Sequence, residues 1–163
     1  WTDLYDNLIV TAYNINRVKR DELPKRWEDL LDPRWKGRMV LDQNEDRWFA
    51  NMLHFMGEKK GMEFMQALAK QEVAIRSGRS LITQLLSAGE FDLQIVAYWY
   101  RPYLMKKQGA PVDWLGLEPA ILALHPISVV EKAPRPNAAR LFIDFALSDE
   151  GQKIFLKRGL ETQ

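Results

Sequence analysis

The chain alternates short apolar runs with segments whose apolar residues recur every three to four positions. Leu8–Tyr13 is β-branched and apolar and is followed by Asn14 and Asn16, which predicts a buried strand leaving into a polar turn. Trp27–Leu31 predicts a short helix stopped near Pro33, and Arg38–Asp42 a short strand. Asp46–Met56 carries Phe49, Met52, Leu53 and Met56 at helical spacing, and Gly57 closes that helix. Lys59–Lys70 predicts another, with Met62, Met65 and Leu68 inward. A strand over Val73–Arg76, a turn at Ser77–Ser80 and a helix over Leu81–Ala88 follow, the helix turning Leu81, Ile82, Leu85 and Leu86 to the core before Gly89. Asp92–Tyr98 reads as a strand and Arg101–Lys107 as a helix broken by Gly109-Ala110-Pro111. Val112–Leu115 and Ala120–Leu124 read as short extended segments. Two closing helices span Asn137–Leu147, with Ala138, Leu141, Phe142 and Phe145 on one face, and Asp149–Arg158, with Ser148 as N-cap. Strands alternating with helices imply an α/β layer structure with parallel pairing, organised as a single lobe over residues 1–163.

Composition narrows the function classes. With 47% hydrophobic and 28% charged residues, the chain has the profile of a folded globular protein. A formal net charge of +1 supplies no long-range field for nucleic acid or an acidic membrane. Basic runs such as Arg17–Arg20 and Lys59–Lys60 read as solvated surface. Cysteine is absent, which removes disulfides, thiolate metal sites and thiol nucleophiles. No apolar run approaches the roughly 20 residues that cross a bilayer. The chain opens on Trp1 with neither an initiator Met nor a signal peptide, so a processed or excised piece is expected.

Candidate chemistry is sparse where catalysis is concerned. The two histidines, His54 and His125, lie far apart in sequence. His54 sits among Met52, Leu53, Phe55 and Met56, where a packed structural role is expected, and His125 precedes Pro126 in an extended segment. Asp42-x-Asn44-x-Asp46 opens like a calcium loop, but Arg47 stands where that loop needs glycine and Leu53 where it needs glutamate. The plainer reading is a polar turn in which Asn44 or Asp46 caps the next helix. No zincin, Walker, dinucleotide or nucleophile-elbow motif occurs. Neither an enzyme nor a cofactor is expected.

Binding chemistry is better represented. Ser77-Gly78-Arg79-Ser80 joins a strand to a helix N-terminus, where unpaired N–H groups and the helix dipole favour an anion. Two hydroxyls and a guanidinium add donors suited to phosphate or carboxylate, while simple capping by Ser77 or Ser80 is the alternative. The strand–helix junction recurs at Asn44–Trp48, and such loops converge at the carboxyl ends of strands in open α/β sheets. Tyr98-Trp99-Tyr100-Arg101 leaves a third strand and can bring rings to the same crevice, for stacking or for a phenolate on Fe(III).

Several stretches together resemble a known family. They are Leu23–Gly37 (Leu-Pro-Lys-Arg-Trp-Glu-Asp-Leu-Leu-Asp-Pro-Arg-Trp-Lys-Gly), Ser87–Asp92, Gly109–Val112, and Ala133–Phe145 continuing through Leu147–Gln152. In this order and spacing the chain resembles the solute-binding proteins of ABC importers, in the branch with ferric-iron-binding proteins and relatives for small organic solutes. The resemblance implies a type II periplasmic-binding-protein lobe, with a mixed, mostly parallel sheet flanked by helices. It implies two lobes around a cleft, the first of them lying upstream together with any signal peptide or lipid anchor. It also implies a periplasmic or extracellular location and an ABC permease as partner. Carried onto this sequence, it places solute contacts at Asn44, Asp46, Arg47 and Trp48, at Ser77, Arg79 and Ser80, and at Tyr98 and Tyr100. Iron-binding relatives carry two adjacent tyrosines where this chain reads Ala97-Tyr98, so a small anionic solute (phosphonate, phosphate ester or carboxylate) is expected. The alternatives are Fe(III) held by Tyr98 and Tyr100, and a ligand-sensing domain of a receptor or regulator. A cleft face left bare makes a dimer of the isolated lobe a further expectation.

Overall fold

The protein is described here by a computed structural model, which covers residues 1–157. Among the described residues six strands and six α-helices follow one another: β1 (Thr2–Asn14), β2 (Met39–Asp42), α1 (Asp46–Met56), α2 (Glu58–Ala69), β3 (Ala74–Arg76), α3 (Arg79–Ala88), β4 (Leu93–Tyr98), α4 (Tyr100–Lys107), β5 (Val112–Leu115), β6 (Ile121–Ile127), α5 (Pro136–Leu147) and α6 (Asp149–Lys157). The short helix predicted over Trp27–Leu31 is a 3₁₀ turn over those residues. Arg158, the expected last residue of the closing helix, lies outside the described residues.

The strands pair in the order β3-β2-β4-β1-β5, with β6 pairing β1 off this path. β2 is parallel to β3 and to β4, whereas β1 is antiparallel to β4 and to β5. β4 and β5 therefore run the same way, joined by the α4 crossover, and β1 is inserted against them. With β1 reversed, β1–β5 pair twice in parallel and twice antiparallel, and the sheet is mixed.

The chain divides into two compact units, Ile9–Ile121 and a second made of Trp1–Leu8 with Leu122–Gln163. In the larger unit the apolar runs Ile9–Val10 and Ile95–Ala97 are buried on both faces of the sheet, as continuous rather than alternating patterns require. Trp27, Trp35 and Trp48 are its largest fully buried side chains, and the Trp27 indole N–H donates to the Pro119 carbonyl at 3.0 Å. Buried Asp92 accepts from the Nε atoms of Arg17 and Arg38. Arg17 is thus an ion-pair partner, not the purely solvated residue its basic run suggested.

In the smaller unit Tyr5 stacks on His125 (centroids 4.4 Å apart) and on Phe155, and the His125 N–H donates to Asp3. Ser148 starts α6 as expected, its Oγ accepting from the Gly151 N–H at 3.3 Å.

Several helix faces differ from the periodicity reading. In α2 the buried stripe is Gly61, Phe64 and Leu68, while Met62 is exposed. Gly61 sets this phase: a Cβ there would lie 2.8 Å from the Leu53 Cα, so only glycine lets α2 approach α1 so closely. In α3, Ile82, Thr83 and Leu86 turn inward and Leu81 outward. His54 is exposed rather than packed, because the inward stripe of α1 runs through Trp48 and Met52. The α5 face that carries Leu141, Phe142 and Phe145 is exposed, and Ala146 is the buried residue of that helix.

Candidate functional site

β2, β3 and β4 run parallel and end at Asp42, Arg76 and Tyr98, so the loops that follow them leave the same edge of the sheet. Asp42, 3% exposed, ties two of those loops together. Its Oδ1 accepts the Asn44 N–H at 2.9 Å and its Oδ2 the Gly78 N–H at 2.7 Å. Gly78 has φ of 97°, a conformation side-chain-bearing residues rarely adopt, and it occupies the N-cap position of α3. Gly78 has no side chain with which to cap that helix, and among the described residues neither Ser77 nor Ser80 accepts a first-turn N–H; Asp42 takes the Gly78 N–H instead. The same correction applies to α1: its N-cap position is Glu45, without a side-chain cap bond, and neither Asn44 nor Asp46 serves.

Arg79 opens α3 and reaches across to the β2–α1 loop. Its Nε donates to Glu45 Oε1 at 2.7 Å, its Nη2 donates to the Asn44 carbonyl at 3.1 Å, and its guanidinium lies 5.0 Å from the Tyr98 ring centroid. Glu45 is 6% exposed. Burial pushes its carboxyl above the ordinary range; Arg79 opposes that rise, and the neighbouring charges of Asp42 and Asp46 add to it. The Glu45 hydrogen bond in turn is the main influence raising the Arg79 guanidinium, which stays charged. Gln43 Nε2 donates to Ser77 Oγ at 3.3 Å, a second link between the two loops.

The third loop supplies the rings. Tyr98 and Tyr100 are stacked, with centroids 6.4 Å apart and planes inclined by 15°. Arg101 lies 5.2 Å from the Tyr100 centroid, and its Nε donates to the Tyr100 hydroxyl at 3.2 Å. Trp99, between the tyrosines in sequence, turns instead to Tyr103.

These loops enclose a recess of about 330 Å³ whose lining includes Asn44, Ser77, Arg79, Ser80, Tyr98 and Tyr100. Asp42 and Arg101 line it too. Asp46 and Arg47 are exposed on the first turn of α1 and do not line it. Trp48 is a core residue: it is 1% exposed and packs against Trp27, with ring centroids 5.7 Å apart. Its sequence neighbours made it look like part of the loop, but one step along a helix is a 100° turn.

Asp42 was missed as a site residue. Its Asx turn to Asn44 was legible from an aspartate at a strand end. Its bond to Gly78, 36 residues away, was not. Glu45 carried no local signal at all, since its partner Arg79 is equally distant. Among the described residues no group of three or more His, Cys, Asp or Glu side chains is placed to hold a metal ion. The arrangement can offer guanidinium, hydroxyl and helix N-terminal donors beside two stacked rings.

Comparison with known proteins agrees with this architecture. The profile of a family described as bacterial extracellular solute-binding protein matches residues 1–161. The chain is similar to an uncharacterized protein of Haemophilus influenzae, 27% identical over 99% of this chain and 49% of that protein. It is also similar to iron uptake protein A1 of Synechocystis, 24% identical over 99% of this chain and 49% of that protein. Among solved structures it is similar to the periplasmic binding protein AfuA from Actinobacillus pleuropneumoniae, with exogenous fructose-6-phosphate bound. The TM-score is 0.82 at 26% identity, covering 99% of this chain and 54% of that one. The chain thus spans about half the length of the curated relatives it matches.

Proposed function

The chain belongs to the family of bacterial extracellular solute-binding proteins, and from that premise we propose that residues 1–163 form the C-terminal lobe of the solute-binding component of an ABC importer. This component works at the periplasmic or extracellular side with a membrane permease. It captures a small anionic solute: a phosphonate, phosphate ester or carboxylate. The observation that carries this reading is the recess in which Arg79, Arg101, Ser77, Ser80 and the N-terminus of α3, whose Gly78 N–H is taken by Asp42, meet beside Tyr98 and Tyr100. Donors of that kind match an oxyanion, and the stacked rings supply a flat wall for the solute's body. Glu45 takes Arg79 Nε and holds the guanidinium in place, so little ordering is left for the solute to impose.

In this reading the solute shifts an open–closed equilibrium because the closed form offers it contacts from both lobes. The experiment is a calorimetric titration of the full-length protein with a panel of phosphate esters, phosphonates and carboxylates against neutral analogues. Arg79→Ala is expected to weaken the best ligand about 10- to 100-fold, the loss of a charged hydrogen bond. Unchanged affinity in that variant, or preference for the neutral analogues, sinks the reading.

A second reading, Fe(III) bound by Tyr98 and Tyr100, is favoured by the adjacency of the two rings and by the name of the Synechocystis relative. Visible absorption on adding Fe(III) to the full-length protein, abolished by Tyr98→Phe, supports it; a colourless titration rejects it.

A further inference from the structure

We propose that the recess is matched to a single negative charge, and that Glu45 is the residue that sets this preference, acting through Arg79. The proposal rests on the anion-binding reading above and narrows it. The solute is a carboxylate, a sulfate monoester or a phosphodiester rather than a doubly charged phosphate monoester or phosphonate.

Fixed charge decides the matter. The charged residues that line the recess are Arg79, Arg101 and Asp42. Glu45 is outside the lining but forms an ion pair with Arg79, at 2.7 Å from its Nε. Two guanidinium groups thus meet two carboxylates, and these four groups cancel before a solute enters. Neither carboxylate can swing away into solvent: Asp42 is 3% exposed and Glu45 6%. Asp42 is bonded to the Asn44 and Gly78 N–H groups, so the Gly78 N–H serves a protein carboxylate and is not left to the solute. Arg79 gives Nε to Glu45 and Nη2 to the Asn44 carbonyl, which leaves Nη1 without a protein partner among the described residues. Arg101 is exposed, and solvent and salt screen its charge. The recess can therefore accommodate one oxyanion charge. A second would lie against two buried carboxylates with no further cation in the lining. Of the two acids, Asp42 joins the loops, whereas Glu45 bears on the recess by offsetting the charge of Arg79.

The test is calorimetric titration of the full-length protein with phenyl sulfate and phenyl phosphate, which are alike in shape. At about pH 8 they differ by one charge, because a phosphate monoester loses its second proton near about pH 6. The parent is expected to bind the sulfate about threefold or more tighter than the phosphate. Glu45→Gln keeps an acceptor for Arg79 and should move that ratio about tenfold towards the phosphate, the order expected for one charge removed from a partly solvated site. A merely structural role for Glu45 would weaken both esters alike and leave the ratio where it was. Arg101→Gln removes an exposed cation and should move the ratio about two- to fivefold towards the sulfate. Tighter binding of the phosphate by the parent, or an unchanged ratio in Glu45→Gln, overturns the proposal. Should that variant fail to fold, an unchanged ratio in Arg101→Gln overturns it instead. Failure of both esters to bind the parent removes the anion-binding reading itself, and the proposal with it.

Discussion

Glu45 is tolerated in its buried position because Arg79 donates to it, yet burial still dominates and keeps its carboxyl above the ordinary range. The folded protein therefore retains the Glu45 proton at pH values where the unfolded chain has lost it. In that window the folded state binds more protons, and stability falls as pH rises through it. Glu45→Gln removes the titration while keeping an acceptor for Arg79. Urea unfolding from acid to neutral pH should show the parent losing stability relative to this variant as pH increases; a constant difference would contradict the assignment. Asp92 has a different role. It is fully buried between two half-exposed arginines, so Asp92→Asn should cost about 1.5–3 kcal/mol for a charged hydrogen-bonding group, with an unchanged m-value in denaturant titrations.

At the scale of elements, two glycines decide how helices meet. A Cβ at Gly151 would lie 2.2 Å from the Phe145 carbonyl oxygen and 2.9 Å from the Ala146 Cα, both backbone atoms of α5 that cannot swing away. Gly151→Ala should therefore lower stability by about 1–3 kcal/mol, typical of overpacking, and be visible as a reduced unfolding midpoint. Gly61→Ala, at the α1–α2 crossing, should behave alike. The existence of α1, α2 and α3 was legible from apolar spacing, but the rotation of each about its axis was only partly so. Met62 and Leu81 fit the apolar stripes by spacing, and the structure turns both outward, since the close approach at Gly61 and the buried Thr83–Gln94 hydrogen bond select a neighbouring face. The candidate recess was legible residue by residue at Ser77, Arg79 and Tyr98, because strand–loop–helix junctions carry recognisable donors. Asp42 and Glu45 were not, because each acts through a partner more than 30 residues away.

On the scale of the molecule, α5 and α6 present Leu141 at 71% and Phe142 at 59% exposure, together with Phe145, Ile154 and Leu156. Large apolar side chains exposed on two adjoining helices favour association. The chain Trp1–Gln163 alone is expected to self-associate in sedimentation velocity, and Leu141→Glu with Phe142→Glu to return it to monomer without a lower melting temperature. A monomer at all concentrations in the parent would refute this.

By itself the sequence determined the order and type of the elements, because local propensity and spacing need no knowledge of distant partners, and the resemblance carried by Leu23–Gly37 and Ala133–Gln152 pointed to the family. It also marked the donor-rich loop at Ser77–Ser80. Only the tertiary structure decided that β1 runs against its neighbours, that Trp48 belongs to the core, and that one carboxylate, Asp42, joins the loops after β2 and β3. Those outcomes depend on contacts between residues far apart in the chain, whose energies no local pattern encodes.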